Sequence, residues 1–197
     1  MSDQQEAGLR ARLVAAGVEL VTREGVQALS LREIARRAGV SHGAPRRHFP
    51  THLSLLSAIA AEGFGALGAR LAAAVGDDAA TPRERVAALG RAYLDFAFGE
   101  RGMYELMFRH DLLESGQKGG LRATSLPLFA EFVALVGSAR PQGTVPPAVA
   151  AGALWANLHG IAQLWGWGSL QLATGADAVE PLLRAALDAH LGPEDGR

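Results

Sequence analysis

The chain has no cysteine, which excludes a disulfide framework and a thiolate metal site and makes a small secreted scaffold a poor fit. It has no uninterrupted apolar run of the roughly 18 residues that a membrane span needs. Its N-terminus, MSDQQEAGLR, is polar where a signal peptide carries an apolar stretch. A soluble cytoplasmic protein without a membrane partner is expected. Features of catalysis are also missing. There is no glycine-rich phosphate loop and no nucleophile elbow, and the histidines lack metal-ligand spacing. His42, His48 and His52 are six and four residues apart, but His48 is expected in the core and no carboxylate accompanies them. His110-Asp111 alone is no catalytic group. No catalytic residues, no metal and no cofactor are expected, and the protein is read as not an enzyme.

What is present favours helices. Of 197 residues, 49% are hydrophobic, and alanine dominates them, which suits closely packed helices better than sheets of β-branched residues. The net charge of −1 hides an uneven distribution. Residues 1–56 hold eight Arg against five Asp or Glu, whereas residues 57–197 hold eleven Lys or Arg against fifteen acids. That asymmetry points to a polyanion at one end, although a solvated charged face gives the same count.

A first helix is expected from about Glu6 to Glu24, with Leu9, Leu13, Ala16 and Leu20 on one stripe and Gly25 as its stop. Ser30-Leu31-Arg32-Glu33 reads as a capping box, Ser30 accepting the Glu33 amide and the Glu33 carboxylate reaching back to Ser30. The short helix it opens ends at Gly39, and Ser41 is expected to cap a third helix from about His42 to His48. Thr51 opens a long fourth helix toward about Val75, and Thr81-Pro82-Arg83-Glu84 starts a fifth that runs to about Gly99. Further helices are expected at about 101–112, 121–138, 147–171 and 177–190, giving an all-α chain of about nine helices.

The informative segment is LREIARRAGVSHGAPRRHF, Leu31 to Phe49. Two helical turns, a glycine-centred turn and a second short helix follow one another at helix-turn-helix spacing. Ala35 lets the helices cross closely, Gly39 makes the turn and Val40 fills the angle, leaving His42, Arg46 and Arg47 to face outward.

In these residues the sequence resembles the TetR family, whose DNA-binding segment reads approximately T-x-x-x-I-A-x-x-A-G-V-S-x-G-x-x-Y-x-H-F-x-x-K-x-x-L-L. Ile34, Ala35, Ala38, Gly39, Val40, Ser41, Gly43, His48, Phe49, Leu55 and Leu56 fall on the pattern in register. The resemblance covers about the first 56 residues. It implies a three-helix helix-turn-helix DNA-binding domain over 1–56 and an effector-binding and dimerisation domain over 57–197. Arg46 stands where the family usually has Tyr and His52 where it usually has Lys, both of them phosphate-backbone positions in the family. The resemblance assigns His42 and Arg47 to base edges, since a guanidinium matches guanine O6 and N7. It assigns Ser30, Arg32, Ser41, Ala44, Arg46 and His52, with Arg10, to the rest of the DNA contact surface. His48 and Phe49 are expected in the core.

The stretch from about 85 to 170 concentrates aromatics and methionines. For any one of them core packing is the plainer account. The resemblance implies an effector cavity among these helices, and Phe96, Met103, Tyr104, Met107, Phe108, Phe129, Trp155 and His159 are its candidate lining, suited to an apolar or aromatic effector. Trp155 to Gly160 is similar to the Trp-x-x-x-His-Gly segment of one branch of these domains, with Gly160 expected to allow close helix approach. The resemblance also implies a homodimer through the last two helices, with Val179, Leu182, Leu183, Ala186, Leu187 and His190 as a stripe on the final one. A repressor released from a palindromic operator by its effector follows from these expectations. The alternative is a ligand-binding or protein-interaction module of the same fold whose head no longer binds DNA.

Overall fold

The computed structural model of the protein describes residues 2–41, 43–76, 80–109, 112, 121–140 and 143–193. Among the described residues there are ten α-helices, one 3-10 turn and no strand. The helices are α1 (Ser2–Glu24), α2 (Leu31–Arg37), α3 (Pro45–His48), α4 (His52–Ala74), α5 (Pro82–Gly99), α6 (Arg101–Met107), α7 (Leu121–Ala139), α8 (Pro147–Gly166), α9 (Ser169–Thr174) and α10 (Glu180–Leu191), and the 3-10 turn is Val26–Ala28. Contacts divide the chain into two units. The first comprises Met1–Ala66 and Glu100–Leu126, and the second Leu67–Gly99 and Pro127–Arg197.

In the first unit, α1 packs against α2, α3, α6 and the 3-10 turn. Leu13, Ala16 and Leu20 of its expected stripe lie in the core beside Val14 and Val21, while Leu9 is half-buried. The first half of α4 adds Leu55, Leu56, Ile59, Ala60 and Phe64, each large apolar side chain contributing about 1.5–3 kcal/mol by leaving water. Helix α6 approaches α1 so closely that a Cβ at Gly102 would stand 2.4 Å from the Val21 carbonyl oxygen.

In the second unit, α5 packs on α8 and α10, and α8 also carries α9 and α10. The start of α5 forms a complete capping box: the Thr81 amide donates to the Glu84 carboxylate at 2.7 Å and the Glu84 amide to the Thr81 hydroxyl at 3.2 Å. Two arginines of α5 fasten α10. Arg83 pairs with Asp188 and donates to the Gly192 carbonyl at 2.6 Å, while Arg91 meets Glu180 at 2.5 Å.

Several expected boundaries shift. The helix expected over 147–171 stops at Gly166, because Gly168 turns left-handed at φ 76° and restarts the chain as α9. Helix α6 ends at Met107, short of 112, as Phe108 leaves helical geometry. The final helix begins at Glu180 with Pro181 in its first turn. Helices α4 and α7 are each long and apolar enough, by length and composition, to cross a membrane. Uninterrupted runs hid this, since Glu62 and Arg70 break the first and Arg122 and Glu131 the second.

Candidate functional site

The helix-turn-helix is built from a cap, a left-handed turn and a very short second helix. The Ser30 hydroxyl accepts the Glu33 amide at 3.2 Å, as the capping signal predicts. The second half of the expected box does not form. The Glu33 carboxylate binds Arg36, at 2.8 and 2.5 Å, and Arg37, at 3.0 Å, and the Ser30 amide donates instead to the Ala28 carbonyl. Charge-assisted bonds to two guanidinium groups outcompete one amide. They hold the Glu33 carboxyl down at about 2, Arg36 contributing most and Arg37 next. Arg37 also pairs with Glu24 at the end of α1.

Helix α2 closes with paired bonds from Val40 N–H to the Ala35 carbonyl at 3.0 Å and from Gly39 N–H to the Arg36 carbonyl at 3.2 Å. This Schellman arrangement requires the φ of +67° that Gly39 adopts. From the side, Arg12 of α1 donates to the Ala38 carbonyl at 2.7 Å.

Helix α3 is shorter than expected. It begins at Pro45, whose fixed φ suits a first helical position, and Ala44 precedes it in helical geometry with no side-chain cap. Ser41 is therefore not its cap; the Ser41 carbonyl instead accepts the Ala44 amide in a separate turn at 3.0 Å. Pro45 and Phe49, one helical turn apart, are buried, which leaves Arg46 and Arg47 exposed and His48 half-buried. The Arg10 guanidinium lies 5.2 Å above the Phe49 ring. Of the other DNA-contact candidates, Ser30, Arg32, Ser41 and His52 are exposed and Ala44 is half-buried, while His42 lies outside the described residues.

The eight effector candidates are not gathered in one unit. Met103, Tyr104, Met107 and Phe108 belong to the first. There Met103, Tyr104 and Met107 are buried, and Phe108 meets Phe64 and Tyr104 edge-on at 5.6 and 4.9 Å. Phe96, Phe129, Trp155 and His159 belong to the second. Phe96 is buried beneath the Arg70 guanidinium. The other three form a chain of rings, Phe129 to Trp155 at 6.0 Å and Trp155 to His159 at 5.8 Å. Trp155 is 39% exposed. The chain ends on a residue absent from the candidates, since the buried Tyr93 hydroxyl lies 3.0 Å from His159 Nδ1. Burial pushes the His159 pKa below its ordinary value. A spacing of 66 residues between α5 and α8 leaves no local sequence signal for that pair.

A groove of about 370 Å³ in the second unit is lined by Leu71, Val75, Leu89, Leu128, Arg85 and Glu131 among others, and none of the eight candidates lines it. Its walls come from three helices, each contributing ordinary aliphatic positions.

The final-helix stripe packs in part against its own chain, with Val179, Leu182 and His190 half-buried. Leu183, Ala186 and Leu187 are buried within the chain itself, where a Cβ at Gly90 of α5 would lie 3.0 Å from Leu183. The outward face of α10 carries Pro181, Arg184, Ala185 and Ala189. On α8 the exposed Val149, Ala153, Ala156 and Leu164 share a face with Gly160. Gly160 has nothing of its own chain within 4 Å of a Cβ position, so within the chain it serves no close approach. Asn157 and His190 join α8 to α10 at 2.6 Å. Among the described residues no three His, Asp or Glu are grouped to hold a metal.

Two family models match the chain. Residues 13–59 match the bacterial regulatory proteins of the tetR family, and residues 86–190 match the tetracyclin repressor-like C-terminal domain. No curated protein matches the sequence. A solved protein of unknown function from Rhodococcus sp. RHA1 is 32% identical, with 93% of each chain covered and a TM-score of 0.77. A TetR-family regulator from Vibrio parahaemolyticus is 21% identical over 91% of this chain and 97% of its own, at a TM-score of 0.67. RolR, solved with resorcinol, is 20% identical over 98% and 91%, at 0.69. The last two share the fold. The helix-turn-helix geometry and the match over both parts of the chain lead to one conclusion: this protein belongs to the TetR family of bacterial transcriptional regulators.

Proposed function

We propose that the protein is a sequence-specific DNA-binding repressor, cytoplasmic and not an enzyme, that acts as a homodimer and leaves a palindromic operator when a small apolar or aromatic effector binds. The observation that carries this reading is the pair Arg46 and Arg47, exposed on a helix whose other face is buried. Arg47 and His42 read base edges in the major groove, and Ser30, Arg32, Ser41, Ala44, Arg46 and His52 line the backbone contact. Arg46 in place of tyrosine offers a charge-assisted phosphate contact.

The functional division we propose is a head over about 1–56 and an effector and dimerisation part over 57–197, with the family matches at 13–59 and 86–190 as support. The ring chain Phe129–Trp155–His159, half-open at Trp155, supports an aromatic effector, in keeping with the resorcinol held by RolR. Phe96 belongs to the same unit as these rings, and Met103, Tyr104, Met107 and Phe108, in the other unit, are the remaining effector candidates. The outward face of α8 around Gly160, beside that of α10, supports a two-fold dimer, and such symmetry sets the recognition helices about 34–36 Å apart or a multiple of it. An effector that binds better to a wrongly spaced dimer lowers operator affinity by its differential binding energy.

Fluorescence anisotropy with a duplex from the protein's own upstream region and a scrambled control tests this. Selective binding that weakens with salt, and weakens again in Arg47→Ala, is the expected result. Absence of binding to any genomic fragment favours the second reading, a ligand-binding or protein-interaction module with an inactive head, for which Arg46 and His52 at altered family positions speak.

A further inference from the structure

Helix α3 has four residues and no side-chain cap, well below the length at which a helix sustains itself in water. Its direction must come from what flanks it. On one side is the turn at Ala38 to Ser41, on the other the buried Phe49. Helix α1 grips both. Arg12 donates to the Ala38 carbonyl at 2.7 Å across 26 residues, and the Arg10 guanidinium covers the Phe49 ring at 5.2 Å. Two residues apart on a helix, these side chains diverge by roughly 200°, so one reaches the turn that ends α2 and the other the residue that caps α3.

The Ala38 carbonyl is the group that benefits from such a donor. Ala38 is the C-terminal cap of α2, where carbonyls lose their helical partners and the helix end carries partial negative charge. The next residue, Gly39, is held left-handed at φ +67°, and Val40 returns its amide to Ala35. Fixing the Ala38 carbonyl thus fixes the peptide plane from which the turn departs.

From this arrangement we propose that Arg12 is a positioning residue for DNA recognition: bonded to the Ala38 carbonyl, it aims α3 from α1 and does not bind phosphate. The inference rests on the DNA-binding reading above. Arg12 is exposed, so its loss lets water take the carbonyl, and the fold survives while the turn loosens.

Arg12→Met keeps the apolar stem and removes the donors; Arg12→Lys keeps the charge. Amide exchange of Val40 in the DNA-free protein is read together with operator affinity at several salt concentrations. In Arg12→Met, Val40 exchange speeds up about tenfold and operator binding weakens by a similar factor, with an unchanged slope of log affinity against log salt. In Arg12→Lys both effects persist in part, because a point charge lacks the guanidinium's fork. A slope reduced by about one with unchanged exchange makes Arg12 a phosphate ligand and overturns the inference. Unchanged exchange and affinity overturn it as well. A wild-type protein that binds no duplex overturns the DNA-binding reading and the role of Arg12 in recognition with it, whereas normal wild-type binding beside an unaffected variant overturns the inference alone.

Discussion

The Tyr93 hydroxyl and His159 Nδ1, 3.0 Å apart, join α5 to α8 at the inner end of a chain of rings. Burial lowers the His159 pKa from its ordinary 6.5. The unfolded chain then takes up the proton first as pH falls, so this contribution to stability is complete above about 6.5 and declines below it toward the folded value. Urea midpoints measured from about pH 7.5 down to 5 should fall for the wild type, and His159→Gln should flatten that part of the profile. Tyr93→Phe removes the bond and should cost about 1–2 kcal/mol at neutral pH.

Glu33 titrates in the same sense, at lower pH. Its pKa is depressed from 4.5 to about 2, first by Arg36 and then by Arg37. The stability it confers is present above about 4.5 and lost as pH falls toward 2. Glu33→Gln should lower the melting temperature near pH 7, and the difference from wild type should vanish in acid. An equal difference at both pH values would refute the ion-pair account.

Gly102 and Gly160 predict contrasting alanine scans. A Cβ at Gly102 meets the Val21 carbonyl at 2.4 Å and the Gly25 Cα at 3.1 Å. Both are backbone atoms that cannot turn aside, so Gly102→Ala should destabilise by about 2 kcal/mol or more. Gly160→Ala meets nothing within its own chain and should stabilise an isolated chain by up to about 1 kcal/mol through helix propensity. Thermal melts at low protein concentration compare the two.

A dimer through α8 and α10 gives Gly160 a second test. Gly160→Arg projects a charged stem from the outward face of α8 and should shift sedimentation to the monomer while leaving helicity unchanged. A monomeric wild type, or a dimer untouched by Gly160→Arg, removes that face from the interface.

Helix ends announced by backbone chemistry were legible in the sequence. Gly25 and Gly39 end their helices, Thr81 and Glu84 form the box their spacing implies, and Leu13, Ala16 and Leu20 of the α1 stripe are buried. What escaped was competition between partners. Ser30 and Glu33 have box spacing too, but Arg36 and Arg37 also lie within reach of the carboxylate and take it. A stripe on α10 proves apolarity without saying whether α5 or a second chain covers it. Among the candidate site residues, Phe129, Trp155 and His159 do adjoin, while Met103 and Tyr104 fall in the other unit, a division that chain order alone does not reveal.

The brevity of α3 bears on the information content of an operator. Four helical residues rise about 6 Å, under two steps of a duplex whose bases stack every 3.4 Å or so. Such a probe inspects few bases in each half-site, and each good contact discriminates by only about 1–3 kcal/mol. In the dimer proposed above, selectivity across a genome comes from reading the same short word twice at a fixed spacing, so altering the distance between half-sites should abolish recognition more completely than changing any one letter.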